Sequence, residues 1–143
     1  MVLGALALAA ACGGDDDGGG GGGGGTVTAT GTLEGDAWEF SEACFTEERE
    51  DAYSVYASQG NDEHALEILW DKTAIEGPGT QTLDPFAGIF FYATLGPAIE
   101  DTESADGTVT FDTFMPEDGV LSGSFDITVD DPVFEATGTF DCM

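Results

Sequence analysis

The sequence predicts an all-β protein, a single antiparallel β-sandwich or barrel of about eight or nine short strands. Apolar and polar residues alternate through residues 26–143, and no stretch of useful length repeats apolar residues at helical spacing. Gly, Asn, Asp and Pro residues interrupt this alternation at short intervals. The connections between the predicted strands are too short for parallel crossovers, so the strands are expected to be antiparallel.

The first two strands are predicted from β-branched residues and from alternating aromatic residues. Thr26–Leu33 is rich in Thr and Val and ends at residues 34–36 (EGD), which are typical of a hairpin turn. Trp38 and Phe40 then alternate with polar residues, and Cys44 falls on the same face as both rings. One face of this second strand is therefore expected to be buried.

The remaining strands follow the same pattern after a charged connection. Residues 47–51 are predicted to form that connection, and a helix over residues 41–51 is the alternative, because Glu and Ala are frequent there. Gly88–Leu95 is apolar on both faces, which predicts a central strand covered on both sides. The predicted strands after the connection are Ala52–Ser58, His64–Asp71, Thr80–Leu83, Gly88–Leu95, Thr108–Phe114, Gly119–Val129 and Phe134–Cys142.

A short pattern, G-[ST]-F-D, occurs twice near the end of the chain, at residues 123–126 and 138–141. One interpretation is a paired acidic site that uses the Asp of each copy. The other is that two neighbouring strands each bury a Phe beside a glycine. We favour the second interpretation, which gives the pattern a role in packing.

Acidic residues greatly outnumber basic ones. There are 29 Asp and Glu residues against Arg49 and Lys72, and the formal net charge is −27. Such a surface repels phosphate backbones and anionic lipids, which excludes nucleic acid as a partner and leaves a lipid anchor as the means of membrane attachment. Two explanations of the acid excess stay open: adaptation to high salt, and the binding of divalent cations by clustered carboxylates.

The first twelve residues, MVLGALALAAAC, resemble the end of a bacterial lipoprotein signal peptide, in which small residues precede a cysteine that becomes acylated. Ala10 and Ala11 match the small positions, Leu8 supplies the bulky apolar residue, and Cys12 would carry the lipid. Ala9 stands where the pattern usually has leucine. No Lys or Arg precedes the apolar run, so the sequence is expected to begin inside the signal peptide.

This resemblance implies export and three segments. Residues 1–12 are the signal peptide with the lipidated cysteine, residues 13–25 are a Gly/Asp tether, and residues 26–143 are the acidic β domain. In an oxidising compartment Cys44 and Cys142 are expected to form a disulfide, with two buried free thiols as the alternative. The stretch GTLEGDAWEF and the two G-[ST]-F-D strands resemble uncharacterised β-rich lipoproteins of Gram-negative bacteria, which implies an envelope location, with the outer membrane slightly preferred, and no particular chemistry.

Few residues are candidates for catalysis or metal binding. His64 is the only histidine, and without a nucleophile pattern we interpret it as a solvated residue at a strand edge. One His and two Cys are too few for a zinc site. Asp101, Glu103 and Asp106 offer three carboxylates in one glycine-containing loop, which makes calcium the cofactor to test. Ordinary solvated turn residues are the alternative.

The adjacent residues Phe90, Phe91 and Tyr92 are the candidate ligand patch. Successive side chains of a strand point to opposite faces, so one face must hold rings that the main core does not. If that face is open, it is an apolar patch for a glycan or an envelope protein. If another layer covers it, the three residues belong to the core.

The sequence therefore predicts a non-enzymatic cell-envelope lipoprotein with a binding or structural role. A calcium-dependent carbohydrate- or surface-binding module is the first alternative, and it would need acidic loops beside exposed aromatic residues. A carboxylate-based hydrolase is the second, and it would need a deep cleft with a desolvated Asp or Glu.

Overall fold

The computed structural model describes residues 25–59, 64–95 and 105–143, and it confirms the all-β prediction. The strands in these ranges are β1 Thr26–Leu33, β2 Asp36–Ala43, β3 Phe45–Glu48, β4 Ala52–Gln59, β5 His64–Asp71, β6 Gly79–Thr82, β7 Ile89–Leu95, β8 Asp106–Met115, β9 Val120–Asp130 and β10 Val133–Cys142. Two short 3-10 turns, Pro85–Ala87 and Pro116–Asp118, precede β7 and follow β8. Neither turn has the length or apolar character that a membrane-spanning helix requires, and no other described segment does.

The described strands form two antiparallel sheets that pack as a sandwich. The larger sheet has six strands in the order β2-β1-β10-β9-β8-β6, and the smaller has four in the order β3-β4-β5-β7. β1 and β2 are joined at Glu34 and Gly35, whose φ angles of 50° and 90° are both left-handed, as a two-residue type I′ turn requires. The hairpin predicted from the sequence is thus confirmed.

The charged connection is shorter than predicted, and the helical alternative for residues 41–51 is wrong. The chain leaves the larger sheet after β2 and enters the smaller one as β3, which pairs with β4 and brings the number of described strands to ten. Because Glu47 and Glu48 are consecutive acids, the sequence of β3 does not show the alternation of apolar and polar residues that is typical of a strand. In the structure their carboxylates point to opposite sides of the strand, one to Arg49 and the other to Lys72.

The core lies between the two sheets and is rich in aromatic rings. Leu66, Ile68 and Trp70, which share one face of β5, are all buried, and Trp70 is fully so. The Trp70 ring packs edge-on against Phe111 of the opposite sheet, with the ring centroids 5.1 Å apart. Tyr53 of β4 packs on the same indole with a centroid distance of 6.2 Å. Trp70 therefore joins the two sheets through its aromatic contacts.

The predicted disulfide between Cys44 and Cys142 is confirmed. Both residues are fully buried, and their Cα atoms are 5.4 Å apart. Cys44 lies at the passage from the larger sheet to the smaller one, and Cys142 ends β10, 98 residues later in the chain. Closing a loop of this length is expected to stabilise the fold by about 4–5 kcal/mol through the reduced entropy of the unfolded chain.

The apolar strand predicted at residues 88–95 is present as β7, which pairs with β5. It stands last in the order of the described strands of the smaller sheet, so its central position stays a prediction. Its inward residues are buried, whereas Phe90 and Tyr92 on the other face are only partly buried. The strand is apolar on both faces because its outward side carries these two aromatic residues.

The repeated G-[ST]-F-D pattern has the packing role that the sequence analysis favoured. β9 and β10 are antiparallel neighbours whose register pairs Gly138 with Phe125 and Gly123 with Phe140. Each ring therefore lies over the glycine of the neighbouring strand, where a larger residue would collide with it. The acids of the two copies, at positions 126 and 141, are exposed on the opposite face, opposite Thr137 and Ser122 instead of each other.

We expect Gly123→Ala to lower the free energy of unfolding by about 1–3 kcal/mol, because overpacking displaces a ring from a filled core. An added Cβ would collide with the backbone oxygen of Thr110 in β8 and would lie 2.8 Å from Cζ of Phe140. Gly77→Ala is the matched control, since a Cβ there would meet nothing within 4 Å. Urea unfolding of the full chain measures both, and equal stabilities of the two variants would contradict the packing role.

Candidate functional site

The outer surface of the smaller sheet is the candidate site, and we call it the aromatic face. Alternate residues of a strand point to the same side, so the outward positions of the four strands share one surface. The apolar side chains on it are Phe45, Tyr56, Leu69, Phe90 and Tyr92. Phe45 is 48% exposed, and the other four are partly exposed. A monomeric protein rarely leaves so many large apolar side chains together at its surface.

Strand register aligns the aromatic face into rows. Phe45 of β3 pairs with Tyr56 of β4, Tyr56 pairs with Glu67 of β5, and Glu67 pairs with Tyr92 of β7. The row therefore crosses the whole sheet with one carboxylate among three rings. In the adjacent row Leu69 pairs with Phe90.

The predicted ligand patch at residues 90–92 is divided between the two sides of the sheet. The rings of Phe90 and Tyr92 stack on the outer side, with centroids 5.9 Å apart and planes at 11° to each other. Phe91 points inward, is buried, and packs against Phe125 of the larger sheet with a centroid distance of 5.8 Å. The structure therefore keeps two of the three predicted residues at the surface and places the third in the core.

Arg49 makes ion pairs with two acidic side chains on the aromatic face. Its Nη2 atom donates to Oε1 of Glu67 at 2.8 Å and to Oε2 of Glu47 at 2.9 Å, and its Nε atom donates to the same Glu47 oxygen at 3.2 Å. The hydrogen bond to Glu47 and the negative charges of both carboxylates raise the pKa of Arg49 above its ordinary value, against a smaller opposing effect of burial. One of the two basic residues of the chain is thus held among the aromatic rings.

The outer surface of the larger sheet has a different chemistry. One row of hydroxyl-bearing side chains crosses all six strands: Ser41, Thr28, Thr139, Ser124, Thr110 and Thr80. Two pairs in this row are hydrogen-bonded, with Oγ1–Oγ1 distances of 3.0 Å and 2.9 Å. The next rows add exposed acids such as Glu39, Asp126 and Glu135. This surface is suited to hydration, whereas the aromatic face is not.

The predicted calcium ligands do not form a described site. Asp106 is exposed at the start of β8, whereas Asp101 and Glu103 lie outside the described residues. Across residues 25–59, 64–95 and 105–143, no group of three His, Cys, Asp or Glu side chains could hold a metal ion. His64 is partly buried at the start of β5, paired with Gln59 and Leu95. The predicted lipidation residue, Cys12, is also outside the described ranges.

The sequence analysis did not identify Phe45, Tyr56, Arg49 or Glu67 as residues of one surface. A signal was present in β4, where Tyr53 and Tyr56 occupy opposite faces of one strand, so that one ring had to face away from the core. Phe45 follows the crossover at Cys44, and its face could be assigned only once β3 was known to pair with β4.

Comparison of the chain with protein-family models, with curated proteins and with solved structures gives no match. The function therefore has to be argued from the chemistry of the site.

A double-mutant cycle should show that Arg49 and Glu67 are coupled. We expect a coupling free energy of about 0.5–1 kcal/mol between Arg49→Gln and Glu67→Gln, which decreases as sodium chloride screens the pair. Glu135→Gln on the larger sheet replaces Glu67→Gln in the control cycle, where coupling should vanish. Denaturant unfolding measures both cycles, and equal coupling in the two would show that Arg49 acts only through the net charge.

Proposed function

We propose that this protein is a non-enzymatic binding protein of the bacterial cell envelope, held there by a lipid on Cys12, that binds another protein through the aromatic face. The observation that carries the proposal is the set of large apolar side chains on this face, grouped around the ion pair of Arg49 and Glu67. The signal-peptide resemblance of residues 1–12 supports the envelope location.

The composition of the aromatic face supports a protein as the ligand. Interface centres are enriched in Tyr, Phe and Arg and poor in unpaired acids, and a few such residues carry most of the binding energy. Two of the three Tyr residues of the chain and one of its two basic residues lie on this face. Arg49 removes the charge that Glu67 would otherwise bring to the centre of the surface.

Net charge restricts the partner to a neutral or basic protein. The chain carries a formal charge of −27, so an acidic partner is repelled during encounter. A second copy of the chain carries the same charge and is disfavoured for the same reason. A basic partner is instead attracted and can approach the sheet face on which Arg49 pairs with Glu47 and Glu67.

The size of the aromatic face supports a weak or transient complex. Strands about 4.8 Å apart with about 3.3 Å per residue give the four strands a surface of roughly 430 Å². Both partners together would then bury about 860 Å², a size typical of weak or transient interfaces. A tether of residues 13–25 would have a root-mean-square reach of about 20 Å, which keeps the domain close to the membrane and raises the local concentration of an envelope partner.

We expect palmitate to label the protein in a bacterial host, and Cys12→Ser to abolish both the label and recovery with the membrane fraction. The double variant Cys44→Ser with Cys142→Ser is the matched control, since it removes the other thiols and should keep the label. Persistence of the label in Cys12→Ser, or its loss only in the control, would contradict lipidation at this residue.

Photo-crosslinking in living cells tests the binding surface. A photoreactive phenylalanine analogue at position 45 or 90 should give one discrete adduct with an envelope protein. Phe86 is the matched control, because it is fully exposed on the turn before β7 and away from the sheet. Arg49→Glu should reduce the adduct at position 45 about tenfold or more, because a central interface residue is lost.

Other outcomes of this experiment would contradict the proposal. Equal adducts at positions 45 and 86 would show general stickiness of exposed rings. An adduct of twice the mass of the chain would identify a second copy as the partner. An absence of adducts at both positions 45 and 90 would remove the aromatic face as the binding surface.

A further inference from the structure

A cleft at one end of the sandwich is separate from the aromatic face. It lies where the connection after β5 meets the 3-10 turn Pro116–Asp118, and it opens on the core-facing side of the smaller sheet. We call it the end cleft. Its wall includes Tyr53, Ile75, Glu76, Phe114, Glu117 and Asp118. Its volume of about 700 Å³ falls within the range of small-molecule sites.

The floor of the end cleft is apolar and belongs to the main core. Tyr53 and Ile75 are buried, and Phe114 packs against the core with its ring centroid 5.9 Å from that of Trp70. A rigid floor of this kind loses little entropy when a ligand covers it. Met115 is 46% exposed at the mouth, where its flexible side chain can adapt to different apolar shapes.

The rim of the end cleft is negatively charged. Glu76, Glu117 and Asp118 are exposed and stand around the apolar floor. Within the described part of the chain, Arg49 and Lys72 make their ion pairs with acids of β3 and β5. Lys72 also lines the cleft, but its ammonium group is paired with Glu48, so the three rim carboxylates make no ion pair in the described chain and the field at the cleft favours a cation.

The wall of the end cleft already holds an ammonium group of the protein itself. Nζ of Lys72 donates to Oε1 of Glu48 at 2.6 Å and lies 4.9 Å from the centroid of the Tyr53 ring. The hydrogen bond to Glu48, together with the negative charges of Glu48 and Glu117, raises the pKa of Lys72 above its ordinary value. Aromatic and carboxylate groups at this wall thus stabilise a positive charge on an alkyl chain.

The separation of the rim acids distinguishes an organic cation from a metal ion. No three ligating side chains in the described residues come close enough together to hold a metal. Calcium needs six to eight oxygen ligands at about 2.3–2.6 Å, which dispersed carboxylates around an apolar floor do not supply. A cation with its charge at the edge of an apolar body matches both parts of the cleft.

We propose that the end cleft binds a small organic cation, in which an ammonium group is carried on an apolar body. The apolar body covers the floor formed by Tyr53, Ile75 and Phe114. The ammonium group lies toward Glu117 and Asp118, which make no ion pair within the described chain. This site is independent of the aromatic face, so the failure of either proposal leaves the other standing.

Benzyltrimethylammonium chloride is the probe that tests this proposal, titrated into the ¹⁵N-labelled full chain at constant ionic strength. Amide shifts should concentrate at Ile75, Glu76 and residues 114–118. Benzyl alcohol, which lacks the charge, and tetramethylammonium, which lacks the apolar body, should each bind more weakly. Equal binding of benzyl alcohol, or shifts spread evenly over the protein, would overturn the proposal.

A pair of matched variants separates the end cleft from general attraction by the acidic surface. Glu117→Gln with Asp118→Asn should weaken binding of benzyltrimethylammonium about fivefold, since two exposed carboxylates are lost. Asp130→Asn with Asp131→Asn changes the net charge equally in the turn between β9 and β10 and should leave binding unchanged. Equal weakening by both double variants would assign the binding to net charge and overturn the site.

Discussion

Packing of aromatic rings between the two sheets must overcome the repulsion within a chain of net charge −27. Trp70 has the central place in this packing, because its buried ring contacts Tyr53 from its own sheet and Phe111 from the other. In the described residues no acidic side chain is buried. The alternation of apolar and polar residues that places apolar side chains in the core therefore also places these carboxylates at the surface, where water and salt screen their charges.

The two basic residues both stabilise β3, a short strand at the edge of the smaller sheet. β3 is an edge strand of only four residues, and both cations contact it, Arg49 through Glu47 and Lys72 through Glu48. Arg49 acts on the outer side and reaches across to Glu67 of β5, whereas Lys72 acts on the core-facing side. Short charged strands commonly protect sheet edges from pairing with other chains. Here the charges also hold β3 to its sheet through ion pairs.

The two outer surfaces differ in their chemistry. The larger sheet presents hydroxyl groups and acids, which water can hydrate. The smaller sheet presents Phe45, Tyr56 and the stacked pair Phe90 and Tyr92 around a neutralised carboxylate. The acid excess on the larger sheet is compatible with the proposed binding through the aromatic face. Electrostatic attraction of a basic partner acts over longer distances than the contacts that the partner makes with the aromatic face.

The sequence by itself indicated which residues share a face of each predicted strand, a disulfide between Cys44 and Cys142, and the Phe–Gly packing of the last two strands. These features depend on alternation within one strand, on the cysteine count and on a local repeat. Only the tertiary structure decided that β7 pairs with β5 and that Phe45, Tyr56 and Tyr92 form one row across the described strands of the smaller sheet. The neighbours of a strand are set by pairing between distant segments of the chain. The alternation of apolar and polar residues within one strand does not reveal that pairing.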